Sequence, residues 1–145
     1  MKDKFTQVVE LMEEFAKLHP MDEKIWHCLT ESYLVLGRVE DARVTCNNYI
    51  ALCPDCKDFR MLLLKSNNEN VEGNHAMAME ILRKCARLKD LDQRDRNALT
   101  YCTACTMCYL KEPKTKVIAY LKRMIRAHGS DKSVDSLLKE LQEEK

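Results

Sequence analysis

The sequence predicts an all-α fold: antiparallel helical hairpins stacked in a single domain, about seven to eight helices in all. Three observations carry this. Apolar residues recur at steps of three and four along almost every segment. Only three Gly and three Pro interrupt the 145 residues, too few for a turn-rich sheet protein. The breaks between segments are short, and short breaks force consecutive helices to run antiparallel.

The first helix is expected over Phe5–Leu18, with Phe5, Val8, Val9, Leu11, Met12, Phe15 and Leu18 on one side. His19-Pro20 ends it, since proline cannot continue a helix and restricts the residue before it. Asp22 is placed to cap a second helix, Glu23–Leu36, and Gly37 closes that helix because glycine accepts a left-handed backbone. A third helix spans Arg38–Cys53 and stops at Pro54. The fourth and fifth are expected over Asp58–Asn67 and His75–Leu88, with Asn67 to Asn74 as a loop of turn-forming residues. Gln93–Leu110 and Thr115–His128 follow, divided by Lys111-Glu112-Pro113-Lys114. A last helix starts at Ser130 or Asp131, runs to Glu143 and carries enough charge to act as a solvated cap.

A period underlies this order. Pro20 and Pro54 lie 34 residues apart. Between them the chain reads Trp26-x2-Leu29-Thr30-x2-Tyr33, then Ala42-x3-Cys46, then Pro54. This resembles the tetratricopeptide repeat family, whose pattern is W-x2-L-G-x2-Y, then A-x3-F, then P. Thr30 replaces the small Gly and Cys46 the aromatic residue. Small side chains at Thr30 and Ala42 let two helices approach, while Trp26, Leu29 and Tyr33 fill the space between hairpins. Leu63, Ala78, Leu82 and Cys85 follow the pattern if the central loop gains about two residues, and Leu99, Leu121 and Met124 follow it with a longer insertion. The resulting units are 1–20 (a half repeat or cap), 21–56, 57–91, 92–129 and a charged capping helix, 130–145. A stack opening on a half repeat suggests one piece of a longer array or of a larger complex.

The resemblance implies a concave surface lined by the first helix of each hairpin, binding another protein or a peptide segment. The groove residues it implies are Lys24, His27 and Glu31, with Cys28 and Leu34; Met61 and Lys65, with Asp58 and Leu62; and Arg94, Asn97 and Tyr101, with Ala98. Cys28, Leu34, Leu62 and Ala98 equally suit the core. Family members that bind chaperone tails clamp a terminal carboxylate with Lys, Asn and Arg. The matching positions here are His27, Glu31, Leu62, Arg94 and Ala98. Only Arg94 is similar, and Glu31 would repel the ligand, so that mode is not expected.

Charge is uneven. Residues 1–58 carry −4, 59–126 carry +7 and 127–145 carry −2. Lys114, Lys116, Lys122, Arg123 and Arg126 form a basic patch, preceded by Arg83, Lys84, Arg87 and Lys89. The alternative function is therefore an RNA-associated helical repeat acting through residues 83–126. Few aromatic residues are interleaved with these charges, only Tyr101, Tyr109 and Tyr120, so a solvated face or an acidic protein partner fits better. Cys46, Cys53 and Cys56, and Cys102, Cys105 and Cys108, raise zinc or redox chemistry. Neither group has histidines at ligand spacing, and both suit small-residue packing. The four histidines are scattered, and phosphate loops and serine elbows are lacking. The expectation is a non-catalytic adaptor or scaffold without cofactor or metal. Eight cysteines and no stretch apolar enough for a membrane span place it in a reducing compartment, cytosol or nucleus.

Overall fold

A computed structural model describes residues 3–144. Among them are eight α-helices and no strand: α1 (Lys4–Leu18), α2 (Glu23–Val35), α3 (Val39–Leu52), α4 (Phe59–Val71), α5 (His75–Ala86), α6 (Gln93–Tyr109), α7 (Lys114–His128) and α8 (Lys132–Glu143). Neighbouring helices pack against each other, giving an all-α, repeat-like architecture. The chain falls into two compact units, one ending at Lys65 and the other beginning at Ser66, with the division inside α4.

Side-chain caps set most of the helix starts. Asp22 accepts from the backbone N–H groups of Lys24 and Ile25. Asp3, Asp92 and Asp131 cap α1, α6 and α8 in the same way. Asp58 Oδ1 accepts from the Met61 N–H at 3.2 Å. Each satisfies donors that the first helical turn leaves without intrahelical partners.

In the first unit α2 packs on both α1 and α3. Val9, Ala16, Leu29, Tyr33 and Ala42 form the core, with Met12, Ile25, Trp26 and Leu36 packed around them. Thr30, Ala42 and Cys46 are all buried; Ala42 shares the core with Leu29 and Tyr33 of α2, and the Cys46 thiol is turned to the Met61 carbonyl of α4. The Trp26 indole N–H donates to the Pro20 carbonyl at 2.7 Å, and its ring lies 6.1 Å from that of Tyr49. Tyr33 is buried, and its hydroxyl donates to Glu13 at 2.7 Å.

In the second unit α6 packs against α5, α7 and α8, and α7 also packs on α8. Its core holds Met79, Ala104, Met107, Val117, Leu121, Val134 and Leu141. The apolar side of α8 belongs to this core through Val134 and Leu141, while its charged residues stay outside.

The same backbone turn closes three hairpins. Gly37 (φ +75°), Gly73 (φ +85°) and Lys111 (φ +59°) take the left-handed conformation just past α2, α4 and α6. The next residue then donates back across the helix end: Arg38 to the Tyr33 carbonyl at 2.8 Å, Asn74 to Glu69 at 2.8 Å and Glu112 to Met107 at 3.1 Å. This is the Schellman arrangement, which satisfies terminal carbonyls. Counting back from each turn, Thr30, Ser66 and Ala104 occupy the same position and are all buried. Tyr33, Glu69 and Met107 share another buried position.

That register corrects one expectation. Asn67 to Asn74 do not form a loop: α4 runs on to Val71, and the inner turn of this hairpin is as tight as the first. The extra residues relative to the first repeat therefore lie elsewhere, ahead of α4. Within this stretch Asn70 is held in the helix by side-chain partners. Asn70 Nδ2 donates to Thr106 Oγ1 at 2.9 Å, and Asn70 Oδ1 lies 2.9 Å from His75 Nδ1. Asn74 Nδ2 donates to Glu69 at 3.0 Å. The His75 ring stacks on Tyr109 with centroids 4.9 Å apart. Buried polar groups of this kind are tolerated only when bonded.

Candidate functional site

The expected groove residues of the first unit engage one another. His27 Nδ1 lies 3.0 Å from Asp58 Oδ2, and Nε2 lies 3.4 Å from Glu31 Oε1. Arg60 approaches Glu31 from the other side at 3.7 Å. The result is a small network joining α2 to the start of α4, with Lys24 exposed beside it. Met61 is not available to a partner. It is 1% exposed, and its carbonyl accepts from the Cys46 thiol at 3.4 Å. Helical spacing placed it on the right helix but could not show that α3 covers it. Leu62 is buried as well, whereas Cys28 and Leu34 are exposed. Lys65 is half-buried and donates to Asn47 at 3.0 Å.

In the second unit Arg94, Asn97, Ala98 and Tyr101 do come together. With Asp131 and Ser133 they line a shallow depression of about 580 Å³ between α6 and the start of α8. Asn97 donates to Asp131 at 3.3 Å, so the α8 cap also holds one wall of the depression. Arg94 and Tyr101 remain exposed.

The basic patch is divided by the fold. Lys114 pairs with Glu144 at 2.7 Å, while Lys122 and Arg126 face solvent. Lys116 and Arg123 instead border a cleft of about 680 Å³ walled by α5 and α7 with α6 as its floor. Arg83 and Arg96 join them there. Arg96 escaped the sequence reading. It sits among the mixed charges at the start of α6, and only packing brings it near α7.

The largest exposed apolar feature of the first unit is on α1. Val9 and Ala16 are buried, but Phe5, Val8, Leu11, Phe15 and Leu18 are 39–71% exposed. At helical spacing Val8, Leu11, Phe15 and Leu18 form a stripe along one flank of α1, beside the side that Val9 and Ala16 bury, and Phe5 stands one turn before Val9 at the start of the helix.

None of the eight cysteines forms a disulfide. Burial pushes the Cys46 thiol up to about 12 and the Cys102 thiol up to about 11. Burial also raises Cys56, Cys105 and Cys108. Such thiols hold their protons at neutral pH and are poor nucleophiles. Among the described residues no group of three or more His, Cys, Asp or Glu is arranged to hold a metal ion, and no helix is long and apolar enough to cross a membrane.

The chain matches no protein-family model, and no curated protein matches it in sequence.

Proposed function

We propose that the chain is a non-catalytic protein–protein interaction module of tetratricopeptide-like type, acting as an adaptor or scaffold subunit in a reducing compartment. The observation that carries this reading is the exposed α1 stripe of Val8, Leu11, Phe15 and Leu18, with Phe5 at the start of the helix. A row of large apolar side chains facing water is costly unless a partner covers it, and continuous patches of this kind mark interaction sites. Its complement is a helix or neighbouring repeat offering its own apolar ridge.

The tetratricopeptide part of the reading rests on the residues quoted for the resemblance. The recurring turn at Gly37, Gly73 and Lys111, with a small buried residue at a fixed distance before each, is compatible with it. Eight cysteines without a disulfide suit a reducing compartment. His27, Glu31 and Asp58 are already engaged with one another in the first unit's groove, which favours α1 as the principal contact there.

The test is affinity capture from cell extract followed by mass spectrometry, comparing the native chain with a Leu11→Glu/Phe15→Glu double variant. Both residues are exposed, so the variant should keep its helical circular dichroism. The native chain should recover a defined set of proteins that the variant loses. If the two recover the same background, the adaptor reading fails.

A further inference from the structure

The cleft over α6 carries a second docking site. We infer that it receives an acidic, amphipathic segment of a partner protein, with apolar side chains entering the floor and carboxylates meeting the rim. This rests on the reading of the chain as a protein-binding module, but it concerns a different surface.

The floor is apolar. Met79, Leu82, Leu99 and Met107 are buried beneath it, and Met124 is half-buried at its side. Methionine is flexible and polarisable, so a methionine-rich floor adjusts to different apolar anchors. The rim is cationic, formed by Arg83, Arg96, Lys116 and Arg123. Glu112 is the one carboxylate lining the cleft, and Lys116 engages it at 2.7 Å. Arg83, Arg96 and Arg123 pair with no carboxylate among the described residues. Three guanidinium groups around one apolar opening suit carboxylates spaced along a peptide: the planar forks of Arg83 and Arg123 can each take a carboxylate in two parallel hydrogen bonds, while Arg96, whose Nε donates to the Leu91 carbonyl at 3.1 Å, offers its two terminal nitrogens.

The first unit holds a cleft of the same construction, walled by α1 and α3 over α2, of about 740 Å³. Its charged lining residues are Glu13 and Lys17, which cancel. The cationic rim therefore does not follow from the hairpin geometry and belongs to the second unit's side chains.

A peptide fits better than a nucleic acid. Single strands bind by stacking bases on free aromatic faces. Tyr120, the aromatic residue of this cleft, is half-buried, and the Arg123 guanidinium lies over its ring at 5.7 Å from the centroid.

The test uses the full chain and fluorescence anisotropy with three labelled probes of about twelve residues: a peptide with Leu at i, i+4 and i+7 and Glu between, a Glu/Ser peptide lacking the leucines, and oligouridine. Two double variants are compared, Arg83→Glu/Arg123→Glu in the cleft and Lys122→Glu/Arg126→Glu outside it. They change net charge equally, and circular dichroism checks their folding. The amphipathic acidic peptide should bind saturably and more tightly than the other two probes. The cleft variant should lose at least tenfold in affinity, the control variant less than twofold, and a Lys/Leu peptide should bind the cleft variant in preference to the native chain. Absence of saturable binding, equal losses in both variants, or tighter binding of oligouridine would each overturn the proposal. The α1 capture experiment is separate: a chain that recovers partners through α1 but ignores the acidic peptide loses only this inference.

Discussion

Replacing Asn70 with Ala should destabilise the protein, while replacing its neighbour Asn67 with Ala should stabilise it slightly. Asn70 donates to Thr106 and its carbonyl oxygen meets His75, both at 2.9 Å. Two such bonds contribute roughly 1 kcal/mol each, and leaving partly buried partners unbonded adds to the loss. Thr106 keeps its own bond to the Cys102 carbonyl at 2.8 Å, so its hydroxyl retains one partner. Alanine is the better helix former by about 0.6 kcal/mol, which offsets part of the cost. The net loss at Asn70 is then about 1–2.5 kcal/mol. Asn67 is helical but exposed, so the same substitution there should add a few tenths of a kcal/mol. Urea denaturation followed by circular dichroism at neutral pH measures both. If Asn67 to Asn74 were a loop, neither side chain would be held by a helix, and both variants would lie near zero. Two near-zero values, or a gain at Asn70, would refute the continuous α4 and its interhelical bonds.

Two further outcomes follow from the turns and the thiols. Gly37→Ala should cost about 1 kcal/mol through backbone strain at positive φ, since the space for a methyl group there is open, whereas Lys111→Gly should gain several tenths by relieving the same strain; thermal midpoints that move together in both variants would contradict the shared turn. Cys46 and Cys102 have folded pKa values raised to about 12 and about 11, above the roughly 8.5 of a free thiol, so the stability linked to them is complete below that free value and is lost as pH rises towards the folded ones. Between about pH 9 and 10 each thiol should lower stability by roughly 1.4 kcal/mol per pH unit, and a Cys46→Ala/Cys102→Ala variant that keeps the native slope would refute the burial argument.

What the sequence showed well is what neighbours along the chain decide. Asp22 and Asp131 cap helices because an aspartate oxygen reaches N–H groups two or three residues ahead. Gly37 ends α2 because the turn needs positive φ at that residue. The burial of Leu29, Thr30, Tyr33 and Ala42 was implied by the resemblance of Trp26 to Pro54 to a repeat pattern. What the sequence hid depends on residues far apart. Asn70 reads as a turn former until Thr106 and His75 are seen beside it. Met61 reads as a groove residue until Cys46 is seen against its carbonyl. Lys116 and Lys122 look alike in a basic run, yet one borders the cleft and the other faces water. The exposed residues on α1 were visible as one apolar side of a helix, but the sequence did not divide them into Val9 and Ala16, which pack, and Leu11 and Phe15, which do not.

The crowding of α6 also bears on how such a chain diverges. With α5, α7 and α8 all against it, the sides of this helix that carry Leu99, Thr100, Ala104, Thr106 and Met107 leave little space in which a residue can grow without collision. Its Thr, Ala and Cys residues record that confinement more than any chemical role. Substitution in the second unit is easier at the exposed cations, Arg83 and Arg123 on the outer helices and Arg96 at the start of α6, so what the cleft recognises can change while its buried floor stays nearly fixed.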